Sequence, residues 1–434
     1  MNASNSTLLD PAPAPSAITY AAFIGIDRSD SRLDVCLQDN QPSARLETLA
    51  LQNTPEAIQQ WLKQLCQRFG EQALAICFEQ PAGSLLHQLA DCPFVQLYPI
   101  NPLTLARYRQ TFTTSRAKDD RRDARCLMEI VRDHRDKIMP WQPDLIQTRV
   151  LAALVEARRG AVDLRTQLCN RLKTHLKSYF PQALELVGEH LYTPLCCDFL
   201  LRWPSLPELK RARGATLQRF YIEHRSRQPA VITRRVQLIR DSVPVSEEAA
   251  LLTSTVLTTQ MLAGQLKQLS ASVAAFDAKI DELFHNHNDA FIFASLPGAG
   301  SVFSARLLAG FGSDRTRFAT AQEMQKYSGI APVIKQSGHN CVVQRRRACP
   351  RFLHQSLVEY AAKSILHCTW AKAFYQQQRA CGKGYWAAVR ALAFKWVRII
   401  FRCWQERVAY DEARYIEGLS RSRSPLLAYL EVPV

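Results

Sequence analysis

The chain has 434 residues, more than one hydrophobic core ordinarily supports, so two or three domains are expected. Hydrophobic residues make up 47% and charged residues 22%, the balance of a globular protein rather than of a disordered one. Lys and Arg number 55 against 39 Asp and Glu, and the net charge of +16 favours a polyanionic partner, nucleic acid or an anionic membrane surface. No run of 18 apolar residues is present, which argues against the membrane. Residues 1–19, rich in Ala, Pro, Ser and Asn, read as a disordered leader and lack the basic-then-apolar pattern of a secretory signal. The 13 cysteines include no C-x-x-C pair, so neither a zinc site nor a disulfide framework is expected; reduced, mostly buried thiols in a cytoplasmic protein fit instead.

From Ala21 to about His134, strand and helix patterns alternate. Phe23-Ile24-Gly25-Ile26 is a short apolar strand ending at Asp27, and Leu33-Asp34-Val35-Cys36-Leu37 alternates with period two, as a half-buried antiparallel strand does. Leu46 to Leu51 offers a third strand. Thr54-Pro55-Glu56 then opens a helix, with Thr as cap and Pro in its first turn. Ala73 to Phe78, uninterruptedly apolar, predicts a central strand covered on both faces, and Phe94 to Tyr98 another strand. Three strands, a helix, then strands alternating with helices is the order of a ribonuclease-H-like mixed sheet.

About Pro143 to Tyr179 reads as a long helix stopped by Pro181, with Leu164, Leu168, Leu172 and Leu176 as a stripe. A second long helix carries Leu262, Leu266, Leu269, Val273, Phe276, Ile280 and Leu283 at heptad spacing. Two readings stand open: a coiled coil between subunits, or a helical hairpin packed on the first long helix. Leu296-Pro297-Gly298-Ala299-Gly300, before an apolar helix from Phe303 to Leu308, looks like a helix-hairpin-helix element, whose turn offers backbone N–H groups to a phosphate; a plain turn between helices is the alternative. Between Glu323 and Glu406 there are 14 cations and one acid, Glu359. Ordinary surfaces mix signs, so the stretch points to nucleic acid. Lys335, Arg345, Arg346, Arg347, Arg351, Arg390, Arg398 and Arg402 are the candidate contacts, with Arg390, Arg398 and Arg402 near one face of a helix whose other face holds Trp396 and Ile399-Ile400. Arg345 to Arg347 are read as phosphate clamps rather than solubility charges, because no local acid neutralises them.

Phosphodiester chemistry needs charge neutralisation at the phosphate oxygens, which one or two Mg²⁺ ions on carboxylates supply. Asp27 and Glu79 end two strands, and Asp120 and Asp123 lie at i, i+3 on a helix entered at about Lys118, so they share a face. Singly each has a plainer explanation: a turn residue after a strand, or one charge of a solvated helix among Arg121, Arg122 and Arg125. Together they are the metal-ligand candidates.

Gly25-Ile26-Asp27, Phe78-Glu79-Gln80-Pro81-Ala82-Gly83, Asn101-Pro102 and Lys118-Asp119-Asp120-Arg121-Arg122-Asp123-Ala124 resemble the motifs of the DEDD insertion-sequence transposases, the RNA-guided bridge recombinases with a RuvC-like N-terminal domain. Asp119 replaces a family Thr, and Glu79 precedes Ala82-Gly83 by three residues where the family places Glu two before Thr-Gly. The resemblance continues through Leu296 to Gly300, Tyr327-Ser328-Gly329-Ile330-Ala331-Pro332 and Gln336-Ser337-Gly338. It implies that Ser337 is the nucleophile, attacking a DNA phosphate to give a phosphoserine assisted by the metal site. From the residues alone, Ser328-Gly329 is an equal rival and Ser337-Gly338 a plain turn; a hydroxyl also needs help to lose its proton. His339 receives no catalytic role.

The expected architecture is therefore α/β plus α: a RuvC-like domain over 20–140, a helical or coiled-coil region over 141–290, a mostly helical C-terminal domain over 291–410 and a tail over 411–434. The resemblance implies DNA, a guide (bridge) RNA, Mg²⁺, a homo-oligomer assembling from dimer to tetramer, and a bacterial, nucleoid-associated location. The expected function is that of a transposase or site-specific recombinase. The rivals are a Holliday-junction-resolving nuclease that uses water, and a nucleic-acid-binding protein without catalysis.

Overall fold

The computed structural model describes residues 18–41, 44–80, 84–112, 120–246, 248–338 and 340–430. Residues 1–17 of the expected leader, Ala82-Gly83, Lys118-Asp119 and His339 lie outside them. The chain divides into two compact units, residues 1–143 and 144–434.

The first unit is built on a mixed sheet of β1 (Ala22–Arg28), β2 (Arg32–Asp39), β3 (Glu47–Gln52), β4 (Leu74–Glu79) and β5 (Val95–Ile100) in the order β3-β2-β1-β4-β5. The first three strands run antiparallel, and β4 and β5 lie parallel to β1. That is the ribonuclease-H-like arrangement the strand order predicts. Helix α1 (Pro55–Phe69) begins as its sequence dictates, with Thr54 accepting from the Ala57 N–H at 3.4 Å and Pro55 in the first turn. Its Ile58, Trp61 and Leu65, with Leu85 and Leu89 of α2 (Ser84–Ala90), cover Ile24, Ile26, Val35, Ile76 and Phe78. On the opposite face of the sheet, Phe23, Cys36, Ala75 and Cys77 pack with Leu105 of α3 (Pro102–Phe112) and with Ala124, Leu127, Met128 and Val131 of α4 (Asp120–His134).

Covering both faces changes one expectation. The β2 residues Leu33 to Leu37 are all buried rather than half-buried, because α4 lies across the face that the polar positions occupy. Asp34 is thereby sealed in, 6% exposed. The close approach of α4 depends on Gly25: a Cβ there would stand 2.0 Å from the Ala124 carbonyl oxygen and 2.3 Å from the Met128 nitrogen.

The second unit starts with α5 (Ile146–Tyr179), continues through short helices α6 to α10 (Ala183–Val187, Pro194–Arg202, Leu206–Lys210, Gly214–Glu223 and Pro229–Asp241), and returns along α11 (Ala249–His285). The heptad seam decides between its two readings here. Leu262 and Leu266 pack with Leu172 and Leu176, and Ile280 and Phe284 with Leu151 and Val155. His175 meets the Thr255 carbonyl at 3.0 Å, Arg158 pairs with Asp277, and Thr148 meets His287 at 2.9 Å, so the pairing is antiparallel along the helices. The seam is the inside of an intramolecular hairpin.

Beyond it come α12 (Ala290–Ala294) and α13 (Gly300–Phe311), joined by the Leu296–Ala299 turn. A Cβ on Gly298 would lie 2.5 Å from the His367 ring, so this glycine permits a close packing contact. Then follow α14 (Ala321–Tyr327), the hairpin β6 (Val333–Ser337) and β7 (Asn340–Gln344), α15 (Arg351–Ser364), α16 (Thr369–Ala380), α17 (Tyr385–Glu406), α18 (Glu412–Arg421) and α19 (Leu427–Leu430). The last two occupy the segment expected as a tail, and Leu419 and Leu426 join the core around Trp370, Trp396 and Trp404. Among the described residues no helix is long and apolar enough to cross a membrane.

Candidate active site

The sheet pleat sorts the acids of the first unit. Side chains alternate between faces along a strand and match across neighbouring strands. Asp27 shares a face with Phe23 and Gly25, Glu79 with Ala75 and Cys77, and Asp34, opposite Asp27 in the β1–β2 register, with Cys36. All three therefore belong to the face that α4 covers. Because β4 runs parallel to β1 with Ile26 opposite Phe78, Asp27 and Glu79 end neighbouring strands at the same level. Asp27 is 7% exposed and Glu79 half-buried.

Asp120 and Asp123 stand in the first turn of α4, where the unsatisfied N–H groups and the helix dipole stabilise negative charge. Asp120, the first residue, is exposed; Asp123 is 3% exposed and adjoins Ala124, the residue on which Gly25 packs. The i, i+3 pair thus points one acid to solvent and one into the sheet face. Arg109 of α3 donates from one Nη to both Asp123 carboxylate oxygens, at 2.8 and 2.7 Å. Among the described residues no three Asp, Glu, His or Cys side chains stand close enough together to hold a metal ion. The donor set itself is all oxygen and suits a hard divalent cation.

Two residues here escape the sequence reading. Arg109 is 14 positions from Asp123, on another helix, so no local spacing signals the pair. Asp34 reads as the polar phase of an alternating strand, yet it is buried beside Asp27, with Arg32 2.6 Å from its carboxylate.

In the second unit the two Ser-Gly pairs have opposite surroundings. Ser328 follows α14, is fully buried, and donates its hydroxyl to the Gln325 carbonyl at 3.3 Å. His354 Nδ1 lies 3.1 Å from the Ser328 carbonyl, and burial holds that imidazole below the usual histidine range. Ser337 closes β6, pairs with Asn340, and is exposed, as are Gly338 and Asn340; Gly338 has φ +56°. A phosphate has access to Ser337 and none to Ser328.

The cations surround this element in sequence. Lys335 is exposed on β6. Arg345, Arg346 and Arg347 follow β7, Arg346 being half-buried with an Nε that has no hydrogen-bond partner. Arg351 opens α15, and Arg398 and Arg402 are exposed on α17, with Arg390 half-buried. Trp396 and Ile400 are turned into the core, while Ile399, expected with them, is only partly buried against it. Arg402 pairs with Glu406 at 2.8 Å; the other seven have no ion pair among the described residues. Glu359, the one acid within the basic stretch, is occupied by Arg306 at 2.8 Å and Arg159 at 3.1 Å. All 13 cysteines are free of disulfides, and burial raises the Cys36 thiol to about 11 and the Cys197 thiol to about 12, so those two are inert packing groups.

Family models match both units. One, described as "Transposase" and specific to the DEDD domain of the IS110 type, covers residues 24–181; another, "Transposase IS116/IS110/IS902 family", covers residues 290–376. The mini-circle putative transposase for IS117 of Streptomyces coelicolor is 28% identical over 412 residues, 91% of this chain and 97% of that protein. The insertion element IS110 uncharacterized 43.6 kDa protein of the same organism is 24% identical over 83% of this chain and 88% of its own length. The insertion element IS900 uncharacterized 42 kDa protein of Mycobacterium paratuberculosis is 27% identical over 53% of this chain and 58% of its own. With both family models matched in order and a relative aligned almost end to end, the chain belongs to the IS110-type DEDD transposases.

Proposed function

We propose that this transposase cuts and rejoins DNA through a covalent phosphoserine at Ser337. The observation that supports the choice of serine is the contrast in exposure: Ser337 is open to solvent at the end of a hairpin, and Ser328 is fully buried. In the forward step the Ser337 Oγ–phosphorus bond forms, the bond from phosphorus to the 3′ oxygen breaks, and that oxygen leaves as a 3′ hydroxyl. The proton that the Ser337 hydroxyl loses is balanced by the one that the leaving 3′ oxygen takes up, and attack of another 3′ hydroxyl reverses the step and restores the serine. The cations Lys335 and Arg345 to Arg347 bind the phosphates that flank the reacting one, and Arg351, Arg390, Arg398 and Arg402 extend the basic surface along the DNA.

Asp27, Glu79, Asp120 and Asp123 are the residues that would hold Mg²⁺, whose chemistry is neutralising charge on the reacting phosphate and lowering the pKa of the attacking hydroxyl. The guide RNA and the higher-order assembly implied by the family resemblance belong to the same proposal. The α11 seam lends no support to a subunit contact, since it is filled from within the chain.

A suicide DNA substrate that traps the covalent species tests the reading. Wild type and Ser328→Ala should give protein-linked 5′ ends, and Ser337→Ala none, while Ser337→Ala keeps duplex binding. Strand cutting without any protein-linked end would instead favour water as nucleophile.

A further inference from the structure

The aromatic residues interleaved with the C-terminal cations fall into two populations. Trp370, Trp396 and Trp404 are fully buried. Each donates its indole N–H inside the core, to the Tyr410 hydroxyl at 2.7 Å, to Ser364 Oγ at 2.8 Å and to the Gly312 carbonyl at 2.8 Å. Trp386 is different: it is 60% exposed, and of the seven tryptophans it alone falls in the exposed class. It stands in the first turn of α17. Tyr385, 44% exposed, has its ring centroid 4.9 Å from that of Trp386 and nearly perpendicular to it, and the Tyr375 ring of α16 lies 6.1 Å from Tyr385. The turn from α16 contains Gly382 and Gly384, where a Cβ would meet open space, so nothing crowds the approach at those positions.

A single exposed aromatic on a globular surface needs no explanation. Here two further features coincide. The rings already touch edge to face, so they form a platform whose conformational freedom is spent before a ligand arrives. The charge around them in the chain has one sign: Lys372 and Arg379 on α16 and Lys383 in the turn form no ion pair among the described residues, and the acids on either side in sequence, Glu359 and Glu406, are held by Arg306 and Arg159 and by Arg402. Lys383 donates to Gln378 only. An exposed aromatic pair that meets Tyr375, with Lys372 and Arg379 one turn to either side of Tyr375 on α16, is complementary to a flat, π-rich group carried on a polyanion.

We propose that Tyr385 and Trp386 form a stacking site for an unpaired nucleobase, with Lys372, Arg379 and Lys383 holding the adjoining phosphates. Within a duplex both faces of each base are covered by its neighbours, so the platform selects single-stranded DNA, single-stranded RNA or a nucleotide extruded from a helix. The inference rests on the reading of the chain as a nucleic-acid enzyme and adds a discrimination that the cations cannot make, since phosphates alone do not distinguish paired from unpaired strands.

The test uses the full chain and four short probes of equal length: oligo-dT, oligo-rU, an abasic strand with the same sugar-phosphate backbone, and a duplex. Wild type should bind the base-bearing strands about tenfold or more tighter than the abasic one, the size expected for one stacked base. Trp386→Ala should lose that preference and match wild type on the abasic strand, and Trp386→Phe should retain most of it. Bound oligo-dT should quench the solvent-exposed component of tryptophan emission in wild type and not in Trp386→Phe. The dT and rU arms distinguish DNA from RNA as the source of the base. Equal binding of oligo-dT and abasic strand by wild type, or an unchanged preference in Trp386→Ala, overturns the proposal. So does binding of Trp386 to anionic phospholipid vesicles in preference to either oligonucleotide. Formation of the Ser337 adduct on duplex ends is read separately with the same variants and should persist in Trp386→Ala, so either idea can fail without the other.

Discussion

The two chemical centres of this chain are built in opposite ways. The acids of the first unit are anchored on a sheet covered on both faces: Asp27 and Asp34 lie on adjoining strands, and Asp123 is pinned through Gly25 and Ala124. Ser337 stands at the exposed end of a hairpin whose Ile334 and Val343 are both 64% exposed. A group that shares a multiply charged ion with others needs fixed separations, and burial on a rigid sheet provides them. A nucleophile that must enter the coordination sphere of a bulky DNA phosphate needs access, and an exposed hairpin provides that. Burial thus marks Asp27 and Asp123 among the candidate metal ligands, with Glu79 half-buried and Asp120 exposed, while exposure marks the candidate nucleophile.

Breaking the buried centre should have the largest consequence. Asp27→Asn and Asp123→Asn each keep shape and remove charge, and a drop of about 10³-fold in strand cleavage is expected, the order seen when one charge-stabilising group is lost from a preorganised site. Fold is checked by circular dichroism; cleavage near the wild-type rate in both variants would mean that these acids are structural. Next is the packing that carries α4. Gly25→Ala places a methyl group against backbone atoms, which cannot rotate away, so a loss of about 3 kcal/mol is expected by denaturant unfolding, at the upper end of overpacking effects.

The Arg109–Asp123 pair gives a subtler test. Arg109→Ala leaves a 3%-exposed carboxylate without the guanidinium it meets at 2.7 Å, and about 3 kcal/mol of destabilisation is expected in chelator-treated protein. Added Mg²⁺ should raise the thermal midpoint of Arg109→Ala more than that of wild type, because the ion then has no competitor for Asp123. An identical Mg²⁺ response in both would separate Arg109 from the metal site. The smallest effect per residue belongs to the exposed side of the comparison. Replacing Arg345, Arg346 and Arg347 together by Ala should weaken binding to any DNA sequence alike and reduce the slope of log affinity against log salt by about 3, near one unit per phosphate contact. A sequence-dependent loss with unchanged slope would point to base contacts instead.

How far the sequence anticipates this molecule follows from which interactions are local. The β1–β5 order, the Thr54 cap and the long helices are written in short-range periodicity and capping chemistry, and they appear where expected. Asp34 and Arg109 were not legible. Asp34 carries the ordinary polar phase of an alternating strand until α4 covers it, and Arg109 meets Asp123 only through the packing of two helices. The heptad seam of α11 was ambiguous for the same reason, since a seam records that a partner helix exists and not which chain supplies it. Likewise, Trp386 and Trp396 sit in equally basic sequence, and only the tertiary structure divides them between surface and core. Ser337 and Ser328 are alike as dipeptides and unlike in burial.

The account turns on the covalent bond to Ser337, and peptide mapping reads it directly. The trapped protein–DNA adduct is digested with nuclease and protease, and the modified peptide is sequenced by mass spectrometry. The account predicts a nucleotide phosphate on the peptide containing Gln336-Ser337-Gly338, located on Ser337. A remnant on any other residue, or efficient cleavage with no nucleotide-linked peptide at all, would contradict it.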